Sequence, residues 1–509
     1  MTTTDPRLHA PDWDPAAGVD GIRWRINLLI VANVAAAVWY FGWLLQPARV
    51  GVPVLFGLLI AAELYNLVQA SGFWWTNRHQ RVRRWLPAPP HASVDVLVPT
   101  YGEPVAVVEP TIAAATRLRG ADVRVHVLDD GEDPAIHAAA ERHGARWVTR
   151  TRSEGAKAGA INDALPGLTG DFVVVFDSDF VADPAFLEAT LGHFRDERVA
   201  YVQTPQYYAN TGRGGVAAAS WAQQALFFGA IARGKDGLGA MFCAGTNVVF
   251  RRSALVEQGG FPESSLTEDF ELSIALHERG WRSAYVSKVL ARGLGPEDMA
   301  AYVGQQQRWA RGCLSAIPRA LRARLPWRLK LQYLLSSMFF LSGWTYLVYV
   351  MLPVIALLTG ALPIDAASAD QFLIHFAPYW GLALLHVAVA GKGAYTFPAF
   401  SLWAANFWVH VVATVLTVTR RKGSFKVTPK EGASGRQPRA VWPGLAVVSL
   451  LAGAAVYGLT TSFGLATANN AAFAVLHLGV VINGIMPALR GAGPETLAAP
   501  VAETERTVA

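Results

Sequence analysis

Six short stretches of the chain gather the side chains that could do chemistry: VPTYGEP (98–104), LDDG (128–131), EGAKAGAIND (154–163), FDSD (176–179), SLTED (265–269) and QQQRWARG (305–312). In FDSD, Asp177 and Asp179 stand at alternate positions and can share one divalent cation through hard oxygen ligands. In LDDG, Asp129 and Asp130 have a plainer reading, as an Asx-turn or the cap of a following helix. Lys157 sits among small residues that let backbone approach a ligand; it is either a solvated surface cation or a phosphate contact. Thr267, Glu268 and Asp269 suit the cap and first turn of a helix. Alternatively, Asp269 is a general base that takes the proton of an attacking hydroxyl. QQQRWARG sets three amides, two arginines and an indole shortly before a long apolar run. On an ordinary helix this is a polar face with a buried tryptophan.

A sheet must position most of these groups. Short apolar runs at 94–100, 123–130, 146–149, 171–179 and 199–204 alternate with helical stretches. Continuous apolar strands separated by helices predict an α/β domain with a mostly parallel sheet, covered on both faces. Ligands of such sheets bind beyond the carboxyl ends of the strands. Those ends bring Glu103, Asp129, Asp130, Asp177 and Asp179 toward one crevice. Clustered carboxylates repel one another unless something compensates, and a metal bound together with a substrate diphosphate would do so.

The 509-residue chain is 52% hydrophobic and 16% charged, well below the roughly 25% charged residues of soluble domains. Residues 26–45 and 51–70 are each long enough to cross about 30 Å of hydrocarbon. The first is too long for a secretory h-region and a second span follows at once, so the pair reads as a helical hairpin. Residues 91–325 have the composition of a soluble domain. Apolar runs return at 331–362, 372–390, 395–419, 441–460 and 468–488. The soluble domain is therefore an insert in an all-α transmembrane bundle.

Basic clusters orient it. One comprises Arg78, Arg81, Arg83 and Arg84; a second runs from Arg319 to Lys330; a third comprises Arg420, Arg421, Lys422, Lys426 and Lys430. The positive-inside rule places all three in the cytoplasm, whereas 362–371 and 461–467 read as external. A full crossing by 395–419 would put the third cluster outside, so that segment is expected to be interfacial or re-entrant. Residues 331–362 are too long for one span and divide at Ser342-Gly343. The expected organisation is a cytoplasmic segment over 1–23, two spans over 24–72, the soluble domain over 91–325, interfacial helices and four spans over 326–490, and a disordered cytoplasmic tail over 491–509. A multi-pass protein of the plasma (inner) membrane follows, with both termini inside.

Two cysteines, Cys243 and Cys313, fall in or beside the cytoplasmic domain, where disulfides seldom persist, and a count of two argues against a zinc site. The formal net charge of +6 is accounted for by membrane-flanking cations, so no nucleic-acid partner is implied.

The order VPTYGEP, LDDG, KAGAIN, FDSD, TPQYY (204–208), MFCAGTN (241–247), TED (267–269) and QQQRW (305–309) resembles the membrane-embedded processive family 2 glycosyltransferases, bacterial cellulose synthase among them. FKVTPK (425–430) matches the FxVTxK gating-loop pattern of that enzyme. The resemblance covers about residues 24–490. It implies a GT-A-type domain that binds a UDP-sugar and Mg²⁺ or Mn²⁺. Thr100, Tyr101, Glu103, Asp129, Asp130 and Lys157 would contact the UDP-sugar. Asp177 and Asp179 would meet the metal, with Asp177 also at the donor. Asp269 would be the base, flanked by Thr267 and Glu268. Gln305, Arg308 and Trp309 would form the QxxRW motif, Arg308 neutralising the leaving UDP and Trp309 stacking on the terminal sugar of the acceptor. Cys243, Gly245 and Thr246 would line the acceptor side. A gating loop over 420–435 would close over UDP through Phe425, Val427, Thr428 and Lys430.

The implied activity is inverting polymerisation of UDP-glucose into a β-linked glucan on the cytosolic side, with export through the protein's own spans. The growing polysaccharide and the lipid membrane are then partners, and an extracytoplasmic accessory subunit is compatible with this. Trp344, Tyr346, Tyr349, Tyr379, Trp380, Trp403 and Trp408 would divide among channel lining, interfacial belt and bundle core, with a minority lining. Gly102 replaces the Asn of the YNEP form, FCAGT differs from FFCGS, and TPQYY differs from TPHHF. These departures leave the linkage and the sugar open: a β-1,3-glucan of the curdlan type, poly-N-acetylglucosamine and a hyaluronan-like polymer are alternatives. A non-processive transferase acting on a lipid carrier is a further one. With only a short tail after the last span, no PilZ-like domain is expected.

Overall fold

A computed structural model of the chain describes Arg7, Asp14 and residues 19–152, 154–365, 369–421 and 435–491. The gating-loop residues Phe425, Val427, Thr428 and Lys430, and the tail from 492, lie outside the described residues.

Among the described residues, ten strands form two sheets: β1 (Ser93–Thr100), β2 (Asp122–Asp129), β3 (Arg146–Val148), β4 (Phe172–Val175), β5 (Val181–Ala182), β6 (Val199–Gln203), β7 (Tyr207–Tyr208), β8 (Val248–Arg251), β9 (Arg282–Tyr285) and β10 (Ala291–Gly293). The main sheet runs β3-β2-β1-β4-β8-β6-β9. Only β8 opposes its neighbours; the other pairs are parallel. The register pairs Thr100 with Asp129 and Val175 with Leu97, so the ends of β1, β2 and β4 open on one edge. Alternate residues of β1 and β4 feed two cores, Val94, Val96 and Val174 on one face and Leu97, Val173 and Val175 on the other. The run 171–179 is strand only as far as Val175, which leaves FDSD as the turn beyond it. β8, the antiparallel member, and β9 were not among the strands read from the sequence.

Among the described residues, six helices are long and apolar enough to cross a membrane. Two precede the sheet, Val19–Leu44 and Pro53–Arg78. The segment after it is a helix over Trp327–Met338, a single 3-10 turn over Phe339–Leu341 and a helix over Ser342–Thr359. Ala369–Ala390, Trp442–Thr461 and Leu465–Arg490 complete the set. Small residues let these helices approach: a Cβ on Gly484 would fall 2.1 Å from the Ser401 carbonyl oxygen, and one on Gly343 2.5 Å from that of Phe407. Phe397–Ala405 and Phe407–Val418 form a pair bent by 43°. The first leg and the residues just after the second are tied to elements on the sheet's side: Gln223 donates to the Ala399 carbonyl at 2.9 Å, and Arg311 to the Arg421 carbonyl at 2.5 Å. The start and end of the pair therefore lie on the sheet's side of the bundle.

Candidate active site

At the end of β1, Glu103 folds back to cap its own turn. Its Oε2 accepts from Thr100 Oγ1 at 2.9 Å and from the Tyr101 amide at 2.6 Å. Thr100 is buried and Tyr101 exposed, so the turn presents one phenol ring to the crevice. The two aspartates that end β2 part company. Asp129 is buried and its oxygens accept from the Gly131 and Asp133 amides at 2.9 and 2.8 Å and from Trp147 Nε1 at 3.1 Å. It builds the turn and does not line the crevice. Asp130, one position on, does. Arg150 holds both its oxygens, Nε at 2.7 Å and Nη2 at 2.6 Å, while also donating to the Glu154 and Ala156 carbonyls at 2.7 and 2.9 Å. Arg150 had no role in the sequence reading. Its only signal was a guanidinium in TRTR, a few residues before Lys157.

Beyond β4, Asp177 is 39% exposed and pairs with Lys157 Nζ, which also donates to the Gly245 carbonyl at 2.7 Å. Burial opposes the charge on Lys157, but Asp177, Glu268 and Asp269 prevail and raise its pKa. Thr246, expected on the acceptor wall, is buried; its Oγ1 accepts from the Asp177 amide at 2.8 Å and so fixes that residue's backbone. Asp179 is buried too, its Oδ2 accepting from the Leu294 amide at 3.0 Å. Among the described residues no group of three or more His, Cys, Asp or Glu is placed to hold a metal unaided. Two hard carboxylates beside an open cavity, with Lys157 adjacent, fit a cation that completes its shell with diphosphate oxygens and water.

The helix Glu268–Glu278 brings Glu268 and Asp269 to the same cavity. Burial first, and the neighbouring Glu268 second, push the Asp269 carboxyl up to about 7. Gly245 faces it: with φ of +85°, and with a Cβ placed 2.9 Å from Asp269 Oδ2, that position has room only for glycine. The Cys243 thiol lies on the wall but is pushed well up by burial and then by Asp269, so it stays a neutral thiol and no nucleophile. Thr267 is buried behind the pair, against Gly312.

Gly312 belongs to the helix Met299–Ser315, which carries QQQRW between the soluble domain and the bundle. It is capped by Asp298, whose Oδ1 accepts from the Ala301 amide at 2.8 Å. Gln305 approaches the buried Tyr208 hydroxyl at 3.5 Å. Arg308 and Trp309 line the cavity, and the indole packs on the cluster of Ala310, Leu314 and Phe340. Tyr208, quoted from the sequence only within TPQYY, thus belongs to the site.

The cavity does not end at Trp309. Its roughly 1800 Å³ continue between the helices to Leu362, Pro363 and Leu465, in the connections at the bundle's far end. Of the seven aromatics considered as lining, Tyr346, Tyr349, Tyr379, Trp380 and Trp403 are on its wall, more than the minority expected; Trp344 and Trp408 are not.

Residues 172–365 match the family model described as glycosyl transferase family group 2. Cellulose synthase 2 of Novacetimonas hansenii is 32% identical over 428 residues, 79% of this chain and 26% of that protein. The UDP-forming cellulose synthase catalytic subunit of Pseudomonas fluorescens is 30% identical over 451 residues, 82% of this chain and 59% of the relative. That of Xanthomonas axonopodis pv. citri is 34% identical over 310 residues, 57% and 42%. The chain thus spans between 26% and 59% of the length of these curated relatives. Among solved structures, the mannosyltransferase PcManGT from Pyrobaculum calidifontis, in complex with GDP-Man and Mn²⁺, superposes with a TM-score of 0.54 at 19% identity, covering 72% of this chain and all of that one. The chain is a family 2 glycosyltransferase with a GT-A-like domain flanked by long apolar helices. Within that family it is related to the catalytic subunits of bacterial cellulose synthases.

Proposed function

We propose that the chain is a processive, inverting β-glycosyltransferase that uses a UDP-sugar, UDP-glucose first, and passes the lengthening glucan through its own bundle. The observation that carries this reading is the continuity of one cavity from Asp269 and Trp309 to the far connections of the spans. A non-processive enzyme needs no such length.

In this reading the turn of Tyr101 and Glu103 and the Arg150-held Asp130 receive the nucleoside, and Lys157 meets the diphosphate. Mg²⁺ or Mn²⁺ on Asp177 and Asp179, as Mn²⁺ accompanies GDP-Man in the PcManGT complex, would screen the diphosphate charge. Asp269 takes the proton from the acceptor hydroxyl; a carboxyl near neutrality is well matched to that task. The hydroxyl oxygen bonds to C1 as the C1–O–phosphate bond breaks, so an α-linked donor yields a β-linkage. Arg308 faces the charge that collects on the departing UDP, where fixed charge contributes most to rate. Trp309 offers a flat apolar face to the terminal sugar.

The test uses inverted membrane vesicles containing the chain, Mg²⁺ or Mn²⁺, and labelled UDP-glucose or UDP-N-acetylglucosamine. Ethanol-insoluble product is digested with β-1,4- and β-1,3-glucanases. Glucanase-sensitive polymer that is absent from Asp269→Asn vesicles is the expected result. Single-sugar transfer to lipid, with no polymer, would overturn the proposal.

A further inference from the structure

The motif KAGAIN ends in a residue to which the proposed mechanism gives no task. Asn162 lies five residues, roughly 7.5 Å, beyond Lys157 on the helix Ala156–Ala164. Its side-chain amide pairs with Phe261 as a neighbouring strand would. Oδ1 accepts from the Phe261 amide at 2.7 Å, and Nδ2 donates to the Phe261 carbonyl at 2.8 Å and to Glu263 Oε1 at 2.9 Å. The loop is shaped to receive this amide: a Cβ on Gly260, at φ of +85°, would overlap Asn162 Oδ1. The loop is also anchored, because the Phe261 ring is buried against Phe250 of β8. Arg152 adds ion pairs to Asp163 and Glu263 at 2.6 and 2.9 Å, but its side chain is 41% exposed, and such pairs contribute little. The amide carries the joint, since without it a half-buried backbone N–H and carbonyl lose these partners.

That joint links two parts of the site. On one side is the helix whose Lys157 pairs with Asp177 and donates to the Gly245 carbonyl at 2.7 Å. On the other, the chain runs from Phe261 through Thr267 into Glu268–Glu278, which holds Asp269 in its first turn. We infer that Asn162 is a positioning residue for the transfer step, fixing the helix of the base relative to the helix of the diphosphate contact. The inference rests on the reading of Asp269 and Lys157 in those two roles. Asn162 itself touches no substrate. Lys157 keeps its own bonds to Asp177 and Gly245, so donor binding survives loss of the amide. The helix of Asp269 is braced by Gly312 behind Thr267; Asn162 supplies the brace toward the donor. A displacement of about 1 Å between reacting atoms is enough to cost a large factor in rate.

The test uses the purified full-length protein and reads two quantities. One is UDP binding by calorimetry, as affinity and number of sites; the other is UDP release from saturating UDP-glucose, per UDP-binding site. Asn162→Leu, close in size, should bind UDP within about twofold of wild type yet release it about tenfold to a hundredfold more slowly per site. A residue needed only for folding would lower the number of sites and leave the rate per site alone. That result overturns the inference, as does weakened UDP binding with an unchanged rate per site. Asn162→Asp is isosteric but sets a carboxylate oxygen against the Phe261 carbonyl. It should slow release in the same way, and it decides the question if the leucine variant binds no UDP. Thr190→Ala loses a buried hydrogen bond to the Phe186 carbonyl, 2.7 Å long, in a separate helix. Its rate per site should stay within about twofold of wild type. UDP release counts transfer to any acceptor. Wild type that releases UDP without forming polymer overturns the polymerase reading alone; wild type that binds UDP and releases none overturns both.

Discussion

Gly312 and Thr267 are packed with no space between them: a Cβ on Gly312 would lie 2.3 Å from Thr267 Cγ2. One residue is in the helix that carries Trp309, the other immediately precedes the helix that carries Asp269. The proposed base and the proposed acceptor platform are thereby set at a fixed separation. Gly312→Ala should favour helix by up to about 1 kcal/mol, yet lower the polymerisation rate by on the order of tenfold to a hundredfold as Asp269 is displaced. Initial rates, normalised to protein in the vesicles, check this. A wild-type rate would show that the contact yields freely.

Asp269→Asn should lower the rate by on the order of a hundredfold or more. The pH profile carries the sign. The carboxyl, raised to about 7, is a base only when ionised, so activity should climb between roughly pH 6 and pH 8 and then level. The residual activity of the Asn variant should lack that limb.

Lys157 lowers the Asp269 pKa while burial and Glu268 raise it. Lys157→Met removes the lowering charge. Its acid limb should therefore move to higher pH, in addition to a weaker grip on UDP. A profile measured at saturating UDP-sugar separates the two; an unmoved limb would mean that the ammonium does not act on the base.

Arg150 holds both oxygens of Asp130. Arg150→Ala should raise the KM for the UDP-sugar by about tenfold with a smaller change in kcat, since a charge-assisted pair is lost on the binding side. Arg150→Lys should not rescue it, because a point ammonium cannot reproduce the planar fork. Competition by UDP at both variants measures the effect.

With Asp177 and Asp179 the carboxylates, among the described residues, at the proposed metal position, any cation should be retained chiefly with the diphosphate. Chelator added before the UDP-sugar should abolish activity at once, and excess Mn²⁺ or Mg²⁺ should restore it. Activity that survives prolonged chelation would mean that the chemistry runs without a cation.

The apolar runs that end in VPTYGEP, LDDG and FDSD were legible as strands of one sheet because a strand buried on both faces leaves an uninterrupted run. What the sequence could not assign was decided by single-residue geometry. Asp129 and Asp130 are chemically the same residue, but successive side chains of a strand point to opposite faces; one is spent on its turn and the other faces the crevice. Thr246 looked like acceptor wall and instead braces Asp177 through its amide. β8 was missed because Val248–Arg251 is short and is separated from the helix before it by a glycine-bearing loop. The Gly312 contact joins residues that no local pattern connects.

The length of the cavity bears on the membrane as well as on the sugar. If the proposed path is right, an enzyme with no product inside is an aqueous hole through an insulating bilayer, and the nascent strand is its own stopper. Letting go of a finished strand then endangers the ion gradients of the cell, whereas adding another unit does not. The pressure on such a machine is to start seldom and continue long, so the length of the fibre would be set as much by the membrane's need to stay sealed as by the supply of sugar.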